Sequence, residues 1–174
     1  YSIIYADESV ITDQAWQDIQ SATRDAVVHI FSTSRSTNWF NPYVVCGTNT
    51  VAGTGFFIND EGYLITNAHV VLSAKTVWGQ IPSLGKHIID MDVIGISPER
   101  DLALLRVTDE GRELITRELG GIPYLPLGDS DLVRRSDDVL ALGYPLGQQA
   151  LKSTNGIISG HEHHLIQMSA PINP

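Results

Sequence analysis

The sequence has few cysteines, few basic residues and no long apolar run, and each shortage excludes something. Cys46 stands alone among 174 residues, so no disulfide can form within the chain and stability must come from packing. Neither a helix start nor a cationic neighbour flanks Cys46 to depress its pKa, so it reads as a buried or surface thiol with no role, not a nucleophile. Lys and Arg together number 11 against 20 Asp and Glu, for a net charge of −9. The adjacent basic pair Arg134-Arg135 is too small to form a patch. This excludes a surface built for nucleic acid or an anionic membrane. No stretch approaches the ~20 apolar residues that span a bilayer. Tyr1-Ser2-Ile3-Ile4-Tyr5 is too short and too poor in basic flanks for a signal-peptide core. A start at Tyr1 instead of Met reads as that of a mature or trimmed product.

What is present is a chain 43% hydrophobic, enough for a real core, with 15 glycines and 8 prolines scattered along it. Its length suits one domain or two small barrels. Residues 1–12 read as an arm, too apolar to hang free; it docks on the chain's own body or on another subunit. Thr12 or Asp13 can cap a helix in which Trp16, Ile19 and Ala22 recur at helical spacing to about Asp25. Strands are expected from there on: 26–31, 54–58, 63–66, 76–78, 88–96 and 102–107, then 124–127, 138–142, 153–159 and 165–169. Residues 34–50 read as loop around Asn41-Pro42. Asn59-Asp60-Glu61-Gly62 reads as a hairpin turn, with glycine where a positive φ is wanted. The charged, glycine-containing stretch 109–123 reads as a linker. Many short strands separated by turns indicate an all-β barrel or sandwich.

Two strand ends carry chemistry. His69 lies just past the run Tyr63-Leu64-Ile65-Thr66-Asn67-Ala68, and Asp101 opens Leu102-Ala103-Leu104-Leu105. A serine nucleophile needs a base to take its proton, and the base needs a carboxylate to fix its tautomer and stabilise its charge. His69 and Asp101 supply the base and the orienter. The order His, Asp, Ser is one of the known chain orders of such triads.

Several segments carry a family resemblance. Gly53-Thr54-Gly55-Phe56 with Gly62-Tyr63-Leu64-Ile65-Thr66-Asn67-Ala68-His69-Val70-Val71 resembles the histidine motif of the HtrA/Deg serine proteases, a chymotrypsin-like branch. Asp101-Leu102-Ala103-Leu104-Leu105 resembles their aspartate motif, and Leu127-Gly128-Asp129-Ser130-Asp131, Ala141-Leu142-Gly143-Tyr144-Pro145-Leu146-Gly147 and Gln167-Met168-Ser169-Ala170-Pro171-Ile172-Asn173-Pro174 resemble later segments. The match runs from about residue 26 to 174. It implies a chymotrypsin-like double β-barrel behind an N-terminal helix, with arm and helix in 1–25, a first barrel in 26–108, a linker in 109–123 and a partial second barrel in 124–174. His69 and Asp101 then belong to the first barrel, beside a cleft between the two. The implied activity is endoproteolysis of unfolded or damaged polypeptides through an acyl-enzyme, with no metal or organic cofactor. The implied assembly is a homotrimer built through the N-terminal arm, with Tyr1 and Tyr5 as contacts, in the periplasm or another extracytoplasmic space.

The resemblance also locates what the 174 residues do not contain. In the family, Ala-Pro-Ile-Asn-Pro runs straight into Gly-Asn-Ser-Gly-Gly, which holds the nucleophile and oxyanion donors; here Pro174 is the last residue. The 1–174 chain alone is therefore expected to be inactive, and a pseudo-protease or polypeptide-binding module is the alternative. No other serine replaces the missing one. Ser130 lacks the following glycines that let substrate approach, and Pro82 and Gly85 break the helix on which Lys86 would activate Ser83. His161-Glu162-His163-His164 reads as a surface loop, with metal binding through His161, His163 and His164 a weaker idea. His29 and His87 read as structural histidines.

Overall fold

The computed structural model describes residues 2–5, 13–35, 47–145, 150–162 and 165–171. Strand β1 (Ser2–Tyr5) is followed by helix α1 (Asp13–Thr23), a 3-10 turn (Arg24–Ala26) and strand β2 (Val27–Arg35). Strands β3 (Thr48–Phe57) and β4 (Tyr63–Thr66), helix α2 (Ala68–Val71), and strands β5 (Thr76–Gln80), β6 (Ile89–Ser97) and β7 (Leu102–Val107) come next. Helix α3 (Asp109–Leu119) precedes β8 (Asp138–Gly143), β9 (Lys152–Glu162) and β10 (Leu165–Met168). No helix among the described residues is long and apolar enough to cross a membrane.

Strands β2 to β7 close a barrel in the order β2-β3-β4-β7-β6-β5. Side-chain alternation dictates its filling. On β2, Val28 and Ile30 point inward and are fully buried; Leu64, Ile89, Ala103, Leu105 and Val107 meet them from the other walls. Burying each of these Val, Leu and Ile side chains contributes about 1.5–3 kcal/mol. The opposite face of β2 carries Val27, which packs with Leu140, Leu142 and Tyr144 of a second core, joined by Trp16 and Ile19 of α1. One strand thus serves two cores.

That second core backs a four-stranded sheet in the order β1-β8-β9-β10. The N-terminal arm is its edge strand: Ser2 pairs with Leu142 and Tyr5 with Val139, antiparallel. The arm's backbone therefore docks on the chain's own body. The all-β expectation holds: a closed six-stranded barrel, an N-terminal helix and a second, partial barrel.

Several segments differ from their sequence reading: residues 34–35 and 48–50, read as loop, extend β2 and β3, and His161 and Glu162, read as surface loop, end β9. The stretch read as a linker is helical over Asp109–Leu119. The Thr108 side chain accepts a hydrogen bond from the Gly111 N–H at its start, and Gly120 (φ 79°) ends it in the left-handed conformation. Gly111 and Ile115 are buried, and Ile115 joins the barrel core. Residues 124–127 form no strand, although the Leu125 N–H still donates to the Phe57 carbonyl at 2.9 Å. The turn at 59–62 forms as expected, with Gly62 at φ 86° and the Asn59 side chain accepting from the Tyr63 N–H at 3.0 Å.

Candidate active site

Asp101 ends a 3-10 turn (Pro98–Arg100) and has left-handed backbone angles, φ 51° and ψ 44°. Aspartate tolerates that region better than most residues, because its short side chain can bond locally. Here the turn brings the carboxylate beneath α2. Its Oδ1 accepts the His69 backbone N–H at 2.9 Å, and its Oδ2 lies 2.7 Å from His69 Nδ1. Asn67 precedes α2 but makes no side-chain cap; its amide donates to Asp101 Oδ2 at 3.1 Å and to the Asp101 carbonyl at 3.3 Å. The carboxylate takes over the capping role that Asn67 leaves vacant.

The Asp101 pKa balances opposed effects. Desolvation pushes it up, but the hydrogen bonds from the His69 backbone and ring, the charge on His69 and the Asn67 amide outweigh that, so the carboxyl sits below its ordinary value. An ionised carboxylate only accepts hydrogen bonds, so Nδ1 carries a proton in this pair, and in the neutral ring Nε2 is the acceptor. The imidazole stands open to solvent, with its side chain 67% exposed. This arrangement can accept a proton at Nε2 and stabilise the imidazolium that results.

The Gly53-Thr54-Gly55 segment explains how α2 is seated. Both glycines face into the barrel. A Cβ on Gly53 would overlap the Val70 side chain, and one on Gly55 would overlap Ile30 and the Ile65 carbonyl. Val70, next to His69, therefore packs directly on the β3 backbone. The Ser32 hydroxyl donates to the Val70 carbonyl at 2.5 Å and fixes the same turn from β2. Thr54 points to the opposite face. The Thr66 hydroxyl donates to the Thr54 carbonyl at 2.9 Å, and the Thr54 Oγ1 accepts the Tyr144 N–H at 2.8 Å. Thr54 and Asn67 stand in the histidine motif, but their roles and that of Ser32 escaped the sequence reading because their partners are distant in the chain. The small residues around Thr54 were the one available signal.

Other candidates sit elsewhere. Ser130 opens a 3-10 turn (Ser130–Leu132) at which the Asp129 side chain accepts from the Asp131 N–H. The Ser83 hydroxyl donates to Asp25 at 2.8 Å within a 3-10 turn (Pro82–Leu84), and no hydrogen bond joins it to Lys86 among the described residues. His29 is buried and stacked on Tyr144, whereas His87 is exposed. His161 Nε2 lies 2.9 Å from the Val133 carbonyl. Cys46, Tyr1, His163, His164 and residues 172–174 lie outside the described residues, and for Tyr5 only the backbone is described. Among the described residues no serine hydrogen-bonds to the His69 ring.

Comparison with known proteins bears on this geometry. A family model described as a trypsin-like peptidase domain matches residues 53–174. A "probable periplasmic serine endoprotease DegP-like" of Chlamydia pneumoniae is 33% identical over 133 residues, 71% of this chain and 25% of the relative. A protein of the same description from Ectopseudomonas mendocina is 34% identical over 130 residues, 70% of this chain and 25% of the relative. The chain thus spans about a quarter of the length of these curated relatives. The solved structure of the HtrA-type protease AlgW with a decapeptide superposes with a TM-score of 0.69 at 25% identity, over 91% of this chain and 52% of that one. The common architecture is the chymotrypsin-like fold, with one barrel closed here and the second partial.

Proposed function

This chain belongs to the HtrA/Deg branch of the trypsin-like serine peptidases, and on that premise we propose that it carries the base and orienter of a serine endopeptidase. His69 is the general base and then the general acid, and Asp101 orients it. The observation that carries this reading is the 2.7 Å contact between His69 Nδ1 and Asp101 Oδ2, reinforced by the Asn67 amide. In the proposed cycle, His69 Nε2 takes the serine proton as Oγ attacks the scissile carbonyl. The imidazolium returns that proton to the leaving amine, leaving an acyl-enzyme. Water, activated by the same nitrogen, then releases the acid and restores the serine. The chemistry needs no metal or cofactor.

The nucleophile of this reading is the serine of a Gly-Asn-Ser-Gly-Gly turn that the family carries after a segment like Ala170-Pro171-Ile172-Asn173-Pro174. The two-lobed division of the family, 26–108 and 124–174 about the 109–123 segment, brings that turn to His69. Substrates are polypeptides, a class that the AlgW structure with a decapeptide supports, and the family resemblance narrows them to unfolded or damaged ones. An extracytoplasmic site of action is supported by relatives described as periplasmic. Assembly is a homotrimer through the N-terminal arm, with Tyr1 and Tyr5 as contacts.

The test is active-site labelling. The full-length protein is treated with a fluorophosphonate and digested, and the modified residue is mapped. The label is expected on the serine of the turn following Pro174, and to disappear in His69→Ala. Labelling of a serine within residues 1–174 overturns the assignment. No labelling at all, with polypeptide binding retained, favours the inactive binding module.

A further inference from the structure

Thr54 bridges the two halves of the molecule. On β3 it lies opposite His29 of β2, and both side chains face the second sheet. There they hold one residue, Tyr144, which directly follows β8. The Tyr144 N–H donates to Thr54 Oγ1 at 2.8 Å, and its ring stacks on His29 at 4.4 Å with planes 5° apart. Tyr144 is only 5% exposed and packs in the second core with Val27, Leu140 and Leu142. On the barrel side, the Thr54 carbonyl accepts from Thr66, the residue before the Asn67–His69 segment. On the sheet side, β8 pairs along its whole length with β9. Strand β9 in turn holds the segment after β10: the Ser169 N–H donates to the Ile157 carbonyl at 2.9 Å, and the Ile157 N–H donates to the Ser169 hydroxyl at 3.0 Å. Ala170 sits so close against Gly156 that a Cβ there would overlap its backbone.

We propose that Thr54 is a positioning residue for catalysis: its hydroxyl sets the register between the barrel that carries His69 and the sheet that carries the Ser169–Pro171 segment. This rests on the endopeptidase reading above, in which that segment leads to the nucleophile. Proton transfer from serine to His69 needs heavy atoms within hydrogen-bond reach, and a misplacement of about 1 Å costs up to ~100-fold in rate. The two groups are on different halves, so their separation depends on how the halves are clasped. Gly53, beside Thr54, lets Val70 of α2 pack on the same stretch of β3 from the inner face, so one short segment references both sides.

The test uses the full-length protein with Thr54→Val, which keeps the shape and removes the acceptor, and Thr54→Ser, which keeps the acceptor. Thr54→Cys, whose sulfur is a weak acceptor, replaces the valine variant if that one does not fold. Two readouts are taken: peptide hydrolysis, and amide exchange at Tyr144 at single-residue resolution. Thr54→Val is expected to accelerate Tyr144 exchange about tenfold and to lower kcat by about tenfold or more with KM little changed, and Thr54→Ser to restore both. Unchanged exchange in the valine variant, or a serine variant as impaired as valine, overturns the proposal. So does accelerated exchange with kcat intact, because the clasp would then have no bearing on catalysis. Should the wild-type protein cleave nothing, the endopeptidase reading fails on its own, and the exchange comparison still decides whether Thr54 clasps the two halves.

Discussion

One carboxylate does two things at the residue scale. Asp101 caps the turn that presents His69 and holds the imidazole ring, so the histidine's backbone and side chain are fixed by the same group. Asp101→Asn keeps the shape and removes the charge. If the triad reading holds, kcat of the full-length protein falls by about 10⁴-fold with the fold intact, measured by steady-state hydrolysis and circular dichroism. The same carboxyl gives an acid signature. Its folded-state pKa lies below its ordinary value of 3.8, so its stabilisation is complete above that value and is lost as pH falls through the lower folded one. Asp101→Asn is expected to remove this component from the acid limb of a plot of thermal midpoint against pH. His29 works in the same direction at higher pH. Burial lowers its pKa from 6.5, and its Nε2 is buried without a partner among the described residues. The neutral ring stabilises the fold fully above 6.5, and that contribution declines as pH falls from there toward the folded value. The phenol stacked on it has its pKa pushed up by burial to about 12, so it stays neutral throughout this range. His29→Phe keeps an aromatic ring on Tyr144, and it should flatten the fall of the thermal midpoint just below pH 6.5.

At the scale of elements, the molecule depends on close approach. Helix α2 is one turn long, far below what stands alone in water, so its contacts hold it in place. Gly53 provides the space for Val70. Gly53→Ala is expected to cost about 1–3 kcal/mol by overpacking and to displace His69 with it. Adding Val70→Ala should recover part of that loss, because the methyl that collides is gone. A double-mutant cycle by denaturant unfolding measures the coupling, and strictly additive losses would contradict the packing argument. Elements with a strong local pattern were legible: the sequence reading of 63–66 and 102–107 matches β4 and β7 residue for residue. Helix α3 was missed although Leu114, Ile115 and Leu119 fall at helical spacing and pack on the barrel core, because its many charges and its glycine at 111 argue against a helix. Its stability rests partly on Thr108, and Thr108→Ala is expected to lower global stability by about 1 kcal/mol in the same unfolding assay.

For the whole molecule, His69 and Asp101 were readable because each sits in a compact local motif. The network around them was not, because it joins positions remote in sequence: Thr54 with Tyr144, Ser32 with Val70, Asn67 with Asp101. The two halves also close differently, which no local pattern reports. The barrel strands each have two hydrogen-bonded neighbours in a closed ring, whereas in the described residues β1 and β10 each pair on one side only. Backbone protection follows pairing and burial, so amide exchange should divide the chain. Amides at Val28, Ile30, Leu64 and Leu105, all at 0% exposure on barrel strands, are expected to exchange only with global unfolding. Strand β10 is exposed at Leu165 and shifts register against β9 between Gln167 and Met168, so its amides should exchange faster by orders of magnitude. Strand β8 lies between them in kind: it is an inner strand of an open sheet, but it is clasped to the barrel through Tyr144. Its protection should track the barrel in the wild type and drift toward β10 in Thr54→Val. Native-state exchange across a denaturant series separates these classes. Equal protection of β10 and the barrel core would mean that the two halves open as one cooperative unit, with the edge strand no weaker than the ring.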